Sequence, residues 1–281
     1  MSENFPLKVL LVGLFAFCFL PCWAQAADEF RQRVYQVGDD TLSQKDDTEA
    51  EIVFGRVLAA RILGKYSFYE NDKLNEYVGK IGKGLAQFAN RPEIEFRFAV
   101  IDTNIVNAFA APGGYIFITK GALMKMEDEA ELAAVLSHEI AHVSEKHIVK
   151  ELKIKGTDTS SVSGFAQVLG GGSGAVKAVF SQMVDNAAEI LFEKGLKKQD
   201  EFDADRVSII MVASAGYDPS ALKRYLKKVK GAEKETKELV GTHPSFDDRI
   251  KNVDSVLADN QLMNVKQALA KERFKENVKI N

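Results

Sequence analysis

The residues best suited to chemistry are two histidines and a glutamate, His138, Glu139 and His142. They form the pattern HExxH in a segment whose apolar residues recur at helical spacing. Residues four apart share a face of an α-helix, so both imidazoles can point at one metal ion. Glu139 then lies beside that ion, where a general base for a metal-held water is needed. The alternative is three ordinary polar residues on an exposed helix, but the chain has only four histidines, which makes a chance match rare.

A third histidine nearby, His147, is a weaker candidate. If the helix continues, His147 lies about 140° around the axis from His142 and faces away from the ion. Metzincin peptidases solve this with a glycine that breaks the helix and a later histidine, but Glu145 and Ile148 hold those positions here. We therefore expect His147 to pack or to form a hydrogen bond rather than to bind the metal.

A third ligand must then come from elsewhere, and the best candidate is Glu201. It lies just before an apolar run and would complete a site of two histidines and one glutamate, with water in the fourth position. Asp205 is four residues further on, on the same helical face, and would accept a hydrogen bond from a ligand imidazole. Asp203, about 200° around the axis from Glu201, should not share that face. The alternative is an acidic, solvated helix N-terminus.

The composition bounds the class of protein. The chain has 281 residues, of which 46% are hydrophobic and 27% are charged, as in a globular protein with a substantial core. A net charge of −3 with mixed signs gives no nucleic-acid footprint. Both cysteines, Cys18 and Cys22, lie close to the N-terminus, so beyond them histidines and carboxylates are the strong metal ligands.

Residues 1–26 have the pattern of a secretory signal peptide. Lys8 precedes an apolar stretch over residues 9–20, and Ala24 and Ala26 frame a small-residue cleavage site. The stretch is shorter than the roughly 20 residues of a membrane-spanning helix. We expect an exported, periplasmic protein that is cleaved after Ala26. The alternative is an uncleaved N-terminal membrane anchor.

The rest of the chain is expected to comprise a loose lead-in (27–47), one domain (48–255) and a C-terminal helical tail (256–281). Helical patterns cover 48–63 and 72–88. Residues 156–174 are rich in glycine, serine and threonine, and 175–191 are helical in pattern; this region is either a plain linker or a mobile lid. Ser220 is expected to cap a helix that ends at Val229.

Between the second helical pattern and the HExxH segment, the apolar period changes to that of strands. Residues 94–100 alternate, and residues 115–119 form the returning strand after a Pro112-Gly113-Gly114 turn. A strand pair beside a metal-binding helix would let an extended peptide bind as a further strand. The alternative is a hairpin that only supports the core.

Four segments match a family of known proteins. They are NAFA at 107–110 with PGG at 112–114, HEIAH at 138–142 with His147, EFDAD at 201–205, and HP at 243–244 with Arg249. On these residues the chain resembles the zinc metallopeptidases that include HtpX, the type-I CAAX prenyl proteases and BepA, and the soluble periplasmic branch is most similar. Two positions depart from the family pattern: Asp203 stands where glutamate is usual, and Ser208 where a small residue, often glycine, is usual.

The resemblance implies roles for individual residues. His138, His142 and Glu201 would be the zinc ligands, with Glu139 as the catalytic acid and base. Asp205 would be the partner of a ligand histidine. The substrate-side strand would include Asn107, Ala108, Phe109 and Ala110. His243 would either cap the metal in a resting state or stabilise the transition state, and both roles stay open.

We therefore expect a mainly helical α+β fold, a gluzincin-type metalloprotease domain with a small antiparallel sheet beside the HExxH helix. It would bind one Zn²⁺ per chain and hydrolyse peptide bonds of misfolded or unassembled proteins in the bacterial cell envelope. The alternative is a periplasmic chaperone or assembly factor with a capped, mostly non-catalytic zinc site. Expected partners are protein or peptide substrates, with outer-membrane proteins or their assembly machinery suggested by the resemblance; nucleic acid is not expected, and membrane contact is peripheral at most.

Overall fold

The computed structural model of the chain describes residues 41–155, 174–231 and 237–280. The predicted signal peptide (1–26) and the glycine-rich stretch 156–173 lie outside these residues, so both stay predictions. Within the described ranges, no helix combines the length and the apolar character needed to cross a membrane.

Two helices open the described part of the chain. Helix α1 (Thr41–Lys65) begins earlier than residue 48, where the sequence predicts it, so residues 41–47 of the expected loose lead-in are helical. Helix α2 (Asp72–Ala86) is close to its prediction. Asn71 caps α2, because its side chain accepts a hydrogen bond (3.1 Å) from the backbone N–H of Leu74.

Three short strands form the sheet: β1 (Arg97–Ile101), β2 (Ala108–Ala111) and β3 (Tyr115–Thr119), in the spatial order β1-β3-β2. Strands β2 and β3 form the predicted antiparallel pair. Strand β1 runs parallel to β3, so the sheet is mixed and not wholly antiparallel as predicted. The reason is the connection after β1, which crosses to the far edge before β3 returns between the other two strands.

The turn between β2 and β3 packs directly on α1. It is a 3-10 turn over Pro112–Gly114, in which Gly113 has a left-handed φ of 72°. A Cβ atom on Gly113 would lie 2.7 Å from the Cα of Ile52 in α1, so only glycine fits this contact. Glu51 of α1 accepts a hydrogen bond (3.1 Å) from the Gly113 N–H and also pairs with Arg91 (2.8 Å).

The HExxH segment lies in the central helix of the fold. After the short helix α3 (Lys120–Met124), helix α4 (Glu129–Ser144) begins at Asp128, whose side chain accepts a hydrogen bond (2.9 Å) from the Glu131 N–H. Every residue of α4 is buried, although the apolar stripe alone predicts one buried face. Neighbouring elements surround α4 on all sides. Fully buried leucines such as Leu132 and Leu136 each contribute about 1.5–3 kcal/mol by leaving water.

Helix α4 ends before His147, contrary to the expectation that the helix continues. Its last residue is Ser144, Lys146 takes a left-handed conformation with φ 57°, and a new helix α5 (His147–Leu152) follows. No glycine makes this break. The chain therefore changes direction immediately after the HExxH pattern and brings His147 back towards α4.

The remaining helices enclose α4. They are α6 (Gly174–Glu189), followed by a π-helical turn (Ile190–Lys194), then α7 (Lys198–Ser214), α8 (Ala221–Val229), α9 (Lys237–Thr242), α10 (Phe246–Asp259) and α11 (Lys271–Asn277). The end of α8 agrees with the prediction, but the Ser220 side chain does not cap it. The Ser220 hydroxyl donates instead to Asp218 (2.9 Å), a charged acceptor in the preceding turn.

The core lies on both faces of the sheet. One face presents Phe109 and Phe117 to α1 and α6, and the other presents Ala110 and Ile116 to α2 and α4. Alternation along β2 and β3 explains the division, since successive side chains point to opposite faces. The predicted mainly helical α+β fold is confirmed, and the sheet places β2 beside the HExxH helix.

Candidate metal centre

Two helices bring the candidate ligands together. His138 and His142 lie one turn apart on α4, and their Nε2 atoms are 3.1 Å from each other. Helix α7 packs on α4 and supplies Glu201, whose two carboxylate oxygens each lie 3.5 Å from one of these nitrogens. All three side chains are buried. The spacing of four residues on α4 and the crossing of α7 thus direct three donor atoms at one point.

This donor set fits a single divalent metal ion. The three ligand atoms all lie within 4.8 Å of one another. Donors around a tetrahedral zinc, at about 2.0–2.1 Å from the ion, would be roughly 3.3 Å apart, which matches the observed separations. Oε2 of Glu201 is buried and has no hydrogen-bond partner among the described residues. A buried carboxylate oxygen without a partner is costly, and a cation at this point would satisfy it.

A buried ion pair lies behind His138. Its Nδ1 atom is 3.0 Å from Oδ1 of Asp205, which lies one turn after Glu201 on α7. The guanidinium of Arg249, in α10, donates a hydrogen bond to each oxygen of this carboxylate, at 2.6 Å and 3.1 Å. The sequence predicts that Asp205 is the hydrogen-bond partner of a ligand histidine. Arg249 belongs to one of the segments that match the family, but the sequence assigns it no role. No local pattern reveals that an arginine from α10 must neutralise a carboxylate buried in α7.

The two histidines of α4 differ in their protonation. Burial disfavours the charged form of His138, but the carboxylates of Asp205 and Glu201 outweigh it and raise the pKa of His138 to about 9. Burial holds the pKa of His142 well below its ordinary value. A histidine that binds a metal must be neutral, so metal binding at this site would have to displace a proton from His138.

Glu139 lies beside the three donors and has the pKa of a group that can exchange protons near neutrality. Burial raises the pKa of Glu139 to about 7, with His138 lowering it and Glu201 raising it further. A base whose pKa is close to the working pH can both accept a proton and return it. The side chain forms part of the wall of two small cavities on either side of the centre.

His147 contacts the outer nitrogen of His142. The two Nδ1 atoms are 2.9 Å apart, which leaves Nε2 of His142 directed at Glu201. Burial lowers the pKa of His147 to about 4, so its imidazole is neutral and can accept a hydrogen bond from His142. His147 is thus outside the cluster of three donors, and the prediction of a hydrogen-bonding histidine is confirmed.

The structure brings His243 to the same place from a distant part of the chain. It follows α9, and its Nε2 atom lies 3.5 Å from Oε2 of Glu201. Its Nδ1 atom lies 3.2 Å from the carbonyl oxygen of Leu239. Burial lowers the pKa of His243 to about 4, so the ring is neutral and its Nε2 lone pair faces the centre. His243 is not one of the three donors that share a common point.

Strand β2 borders the candidate metal centre. Asn107 and Ala108 line one cavity of about 30 Å³, and Ala108, Phe109 and Ala110 line a second of the same size. The Phe109 ring also packs against Tyr66 and Phe192 on the far side of the sheet. The predicted substrate-side residues therefore lie next to the HExxH helix, at the edge of the sheet.

A comparison with models of known protein families identifies the family of this chain. The model of peptidase family M48 matches residues 72–257 of this chain, a range that contains α4, α7 and His243. The chain belongs to peptidase family M48. This confirms the resemblance drawn from the four motif segments.

Individual relatives of this M48 chain include bacterial and mitochondrial proteins. The beta-barrel assembly-enhancing protease of Escherichia coli (strain K12) is 25% identical over 244 residues, covering 82% of this chain and 47% of that protein. The protein of that name from Yersinia pestis is 28% identical over 196 residues, covering 63% and 37%. The mitochondrial metalloendopeptidase OMA1 of Schizosaccharomyces pombe is 27% identical over 189 residues, covering 66% and 54%. The chain spans about half the length, or less, of these relatives.

Proposed function

We propose that this M48 chain is a zinc endopeptidase that hydrolyses peptide bonds in proteins. The observation that carries the proposal is the convergence of His138, His142 and Glu201 on one point, with Glu139 beside them. Two imidazoles and one carboxylate are a donor set that suits zinc, and three protein donors would leave a position for water, as catalytic sites require. When bound, zinc would activate a water molecule for attack and polarise the scissile carbonyl.

The remaining chemistry falls to residues of the chain. Glu139 would accept a proton from the attacking water and deliver it to the leaving amine, a role that its position beside the three donors allows. Asp205 and His147 would hold the two ligand imidazoles through their Nδ1 atoms. These contacts fix the rings so that each Nε2 atom faces the metal.

His243 would cap this centre in a resting state. Both cavities beside Glu139 share His243 as part of their wall, and each is small, at about 30 Å³. A peptide side chain does not fit such a space. Access for substrate would therefore require α9 and His243 to withdraw. The other role, stabilisation of the transition state, would require His243 to stay in place during catalysis.

The setting proposed for this activity is the bacterial cell envelope. Two observations support it: the signal-peptide pattern of residues 1–26, and relatives whose names place them in beta-barrel assembly. Unassembled outer-membrane proteins would then be the substrates, and the assembly machinery a partner. Cleavage of such a protein by the purified chain, with no cleavage of its folded form, would support this part of the proposal.

A second candidate function is that of a chaperone or assembly factor. The closed arrangement of His243 over the centre favours it, because a covered site would seldom turn over. Comparison of a deletion strain with a strain carrying Glu139→Gln separates the two functions. Rescue of the deletion phenotype by Glu139→Gln would favour the binding function, and failure to rescue would favour the peptidase.

The direct test of the peptidase is the same substitution in the purified protein. Glu139→Gln should keep the bound zinc and lose cleavage of an unfolded protein substrate, because the amide cannot accept the proton. Glu145→Gln, just beyond the end of the same helix, is the matched control and should retain activity. Cleavage at the wild-type rate by Glu139→Gln would overturn the mechanism.

A further inference from the structure

Asn107 carries a buried donor that has no partner in the described part of the chain. Its side chain is 2% exposed, and Oδ1 accepts a hydrogen bond (3.0 Å) from the backbone N–H of Ala108. That bond fixes the orientation of the amide, because only the oxygen can accept. Nδ2 is thereby left without an acceptor in the first cavity, beside Glu139. A buried amide donor of this kind is unusual in a folded protein and indicates a ligand.

The backbone of β2 also presents unpaired positions at this edge. The carbonyl of Asn107 accepts a hydrogen bond (3.1 Å) from the Thr119 N–H, which faces it on β3. Because bonding positions alternate along an antiparallel strand, Phe109 pairs inward as well, whereas Ala108 and Ala110 direct backbone groups away from β3. The Ala108 N–H is already bound to Asn107, so the Ala108 carbonyl and the backbone groups of Ala110 are the positions for a peptide. Strand β2 is the edge of the sheet, but its residues are buried, so a peptide can add there as a further strand once the covering residues withdraw.

Two apolar cavities diverge from Glu139. Aliphatic and aromatic side chains dominate the first: Val135, Leu222, Tyr225, Leu226 and Leu239. Four aliphatic side chains line the second: Ile148, Ile190, Leu191 and Leu196. The charged groups that reach either cavity belong to the metal centre and its supporting ion pair. A charged substrate side chain would find no ion-pair partner of its own in these walls, and apolar contacts dominate both cavities.

We infer that the chain recognises pairs of consecutive apolar residues, an inference that rests on the proposed peptidase function. An extended peptide lies along β2 with its scissile bond at Glu139, and Nδ2 of Asn107 donates to a main-chain carbonyl. Side chains of consecutive residues in an extended chain point to opposite sides, so the two residues flanking the bond enter the two cavities. Withdrawal of α9, which contributes Leu239 to the first cavity and Thr242 to the second, makes room for them.

This specificity defines a class of substrate. Consecutive apolar residues are typical of strands and helices that are buried on all sides in a folded protein. They are not typical of amphipathic strands, where apolar and polar residues alternate. The chain therefore cleaves segments that become accessible only when the core of a client is exposed. In an unassembled outer-membrane protein, whose barrel strands alternate, the cuts would fall in segments outside those strands.

Peptide binding by zinc-loaded Glu139→Gln tests this directly, since no turnover interferes. Two fluorescent, unstructured peptides of identical composition are compared by anisotropy, one with a central Leu-Val pair and one with the same residues separated by serines. We expect the paired peptide to bind about tenfold or more tightly, which corresponds to one buried aliphatic side chain. Equal dissociation constants for the two peptides would overturn the inference.

Substitutions separate the two parts of the recognition. Asn107→Asp keeps the acceptor for Ala108 but removes the donor. It should weaken the binding of both peptides by about tenfold without changing their order of affinity.

Leu226→Ala enlarges the first cavity and should shift the preferred peptide side chain from leucine towards phenylalanine. Leu257→Ala, an equally buried leucine in the same apolar cluster as Leu226 but outside both cavities, is the control and should keep the preference of the parent. An unchanged preference in Leu226→Ala would contradict the assignment of this cavity.

Cleavage sites mapped by mass spectrometry with the wild-type protein distinguish failure of this inference from failure of the proposed function. Cuts between two apolar residues support both. Cuts without any apolar preference overturn the inference and leave the peptidase intact. Ranked binding by Glu139→Gln with no cleavage by the wild type overturns the peptidase and supports the binding geometry.

Discussion

Arg249 and Asp205 form a buried ion pair that ends on a candidate zinc ligand. Both carboxylate oxygens of Asp205 contact the guanidinium, at 2.6 Å and 3.1 Å, and one of them lies 3.0 Å from Nδ1 of His138. The pair joins α7 to α10, so the orientation of an imidazole on α4 depends on two other helices. A carboxylate in this position increases the basicity of the imidazole and fixes its ring.

Removal of Arg249 should therefore weaken both the fold and the metal site. We expect Arg249→Gln to lower the free energy of unfolding by about 3–5 kcal/mol, because Asp205 stays buried without its partner. Zinc affinity should fall about 10–100-fold. Urea denaturation and competition with a chelator measure the two effects.

Lys198→Gln is the matched control for Arg249→Gln. It breaks an exposed pair (2.8 Å) with Asp248 that also joins α7 to α10, and such pairs contribute about 0–1 kcal/mol. Arg249→Gln with unchanged zinc affinity would show that the ion pair does not support the metal site.

His147 should matter for metal affinity more than for stability. Its Nδ1 atom is 2.9 Å from Nδ1 of His142. Among the described residues, this is the only polar contact of the His142 nitrogen that faces away from Glu201. We expect His147→Ala to reduce zinc affinity about 10–100-fold. His147→Gln, whose side-chain oxygen can accept the same hydrogen bond, should recover part of the loss. Equal zinc affinity in the wild type and His147→Ala would contradict this role.

The N-terminus of α4 should make the fold sensitive to acid. Glu129 accepts hydrogen bonds from Tyr77 (2.7 Å) and Tyr217 (2.5 Å) and pairs with Arg273 of α11. Burial opposes the charged form, but Arg273 and the two hydroxyls outweigh it and lower the pKa of Glu129. A carboxylate with a depressed folded-state pKa stabilises the fold fully above its unfolded-state pKa, and this stabilisation is lost as the pH falls through the folded-state value.

Glu129→Gln tests this dependence. The free energy of unfolding of the wild type should fall as the pH decreases below about 5, and the slope should be smaller in Glu129→Gln, which cannot titrate. Urea denaturation at several pH values gives both slopes. Identical slopes for the two proteins would show that Glu129 is not the group responsible.

His243 should limit access to the centre. If its ring caps the site, His243→Ala should raise kcat/KM for short peptides, and His243→Phe, which keeps the bulk, should not. The reason is the small size of both cavities that it borders. A loss of kcat in His243→Ala would instead assign His243 to the transition state. Peptide turnover at constant zinc occupancy distinguishes the two results.

The sequence predicts the parts of the site that depend on one helix at a time. His138 and His142 share a face through helical spacing alone, and Glu201 with Asp205 repeats the same logic on α7. The packing of α7 on α4 is the only further contact needed to bring the two pairs of side chains together. Asp203 lies, as expected, on another face, where it is partly exposed and pairs with Arg206.

Features set by tertiary contacts are not predictable from local pattern. The left-handed Lys146 ends α4 without glycine or proline, so the phase of His147 cannot be calculated from an unbroken helix. The apolar stripe of α4 predicts one buried face, but packing on every side buries its polar residues as well. The parallel pairing of β1 with β3 depends on a crossover connection that the spacing of residues does not predict. Arg249 is found only through the carboxylate that it neutralises.

Metal content tests the central claim most directly. Residues 27–281 would be purified beside the same residues carrying Glu201→Ala or the control Asp203→Ala, and zinc would be measured by atomic emission. We expect about one zinc per chain in the wild type and in Asp203→Ala, and strongly reduced zinc in Glu201→Ala. Equal zinc in Glu201→Ala and the wild type would contradict the site of two histidines and one glutamate.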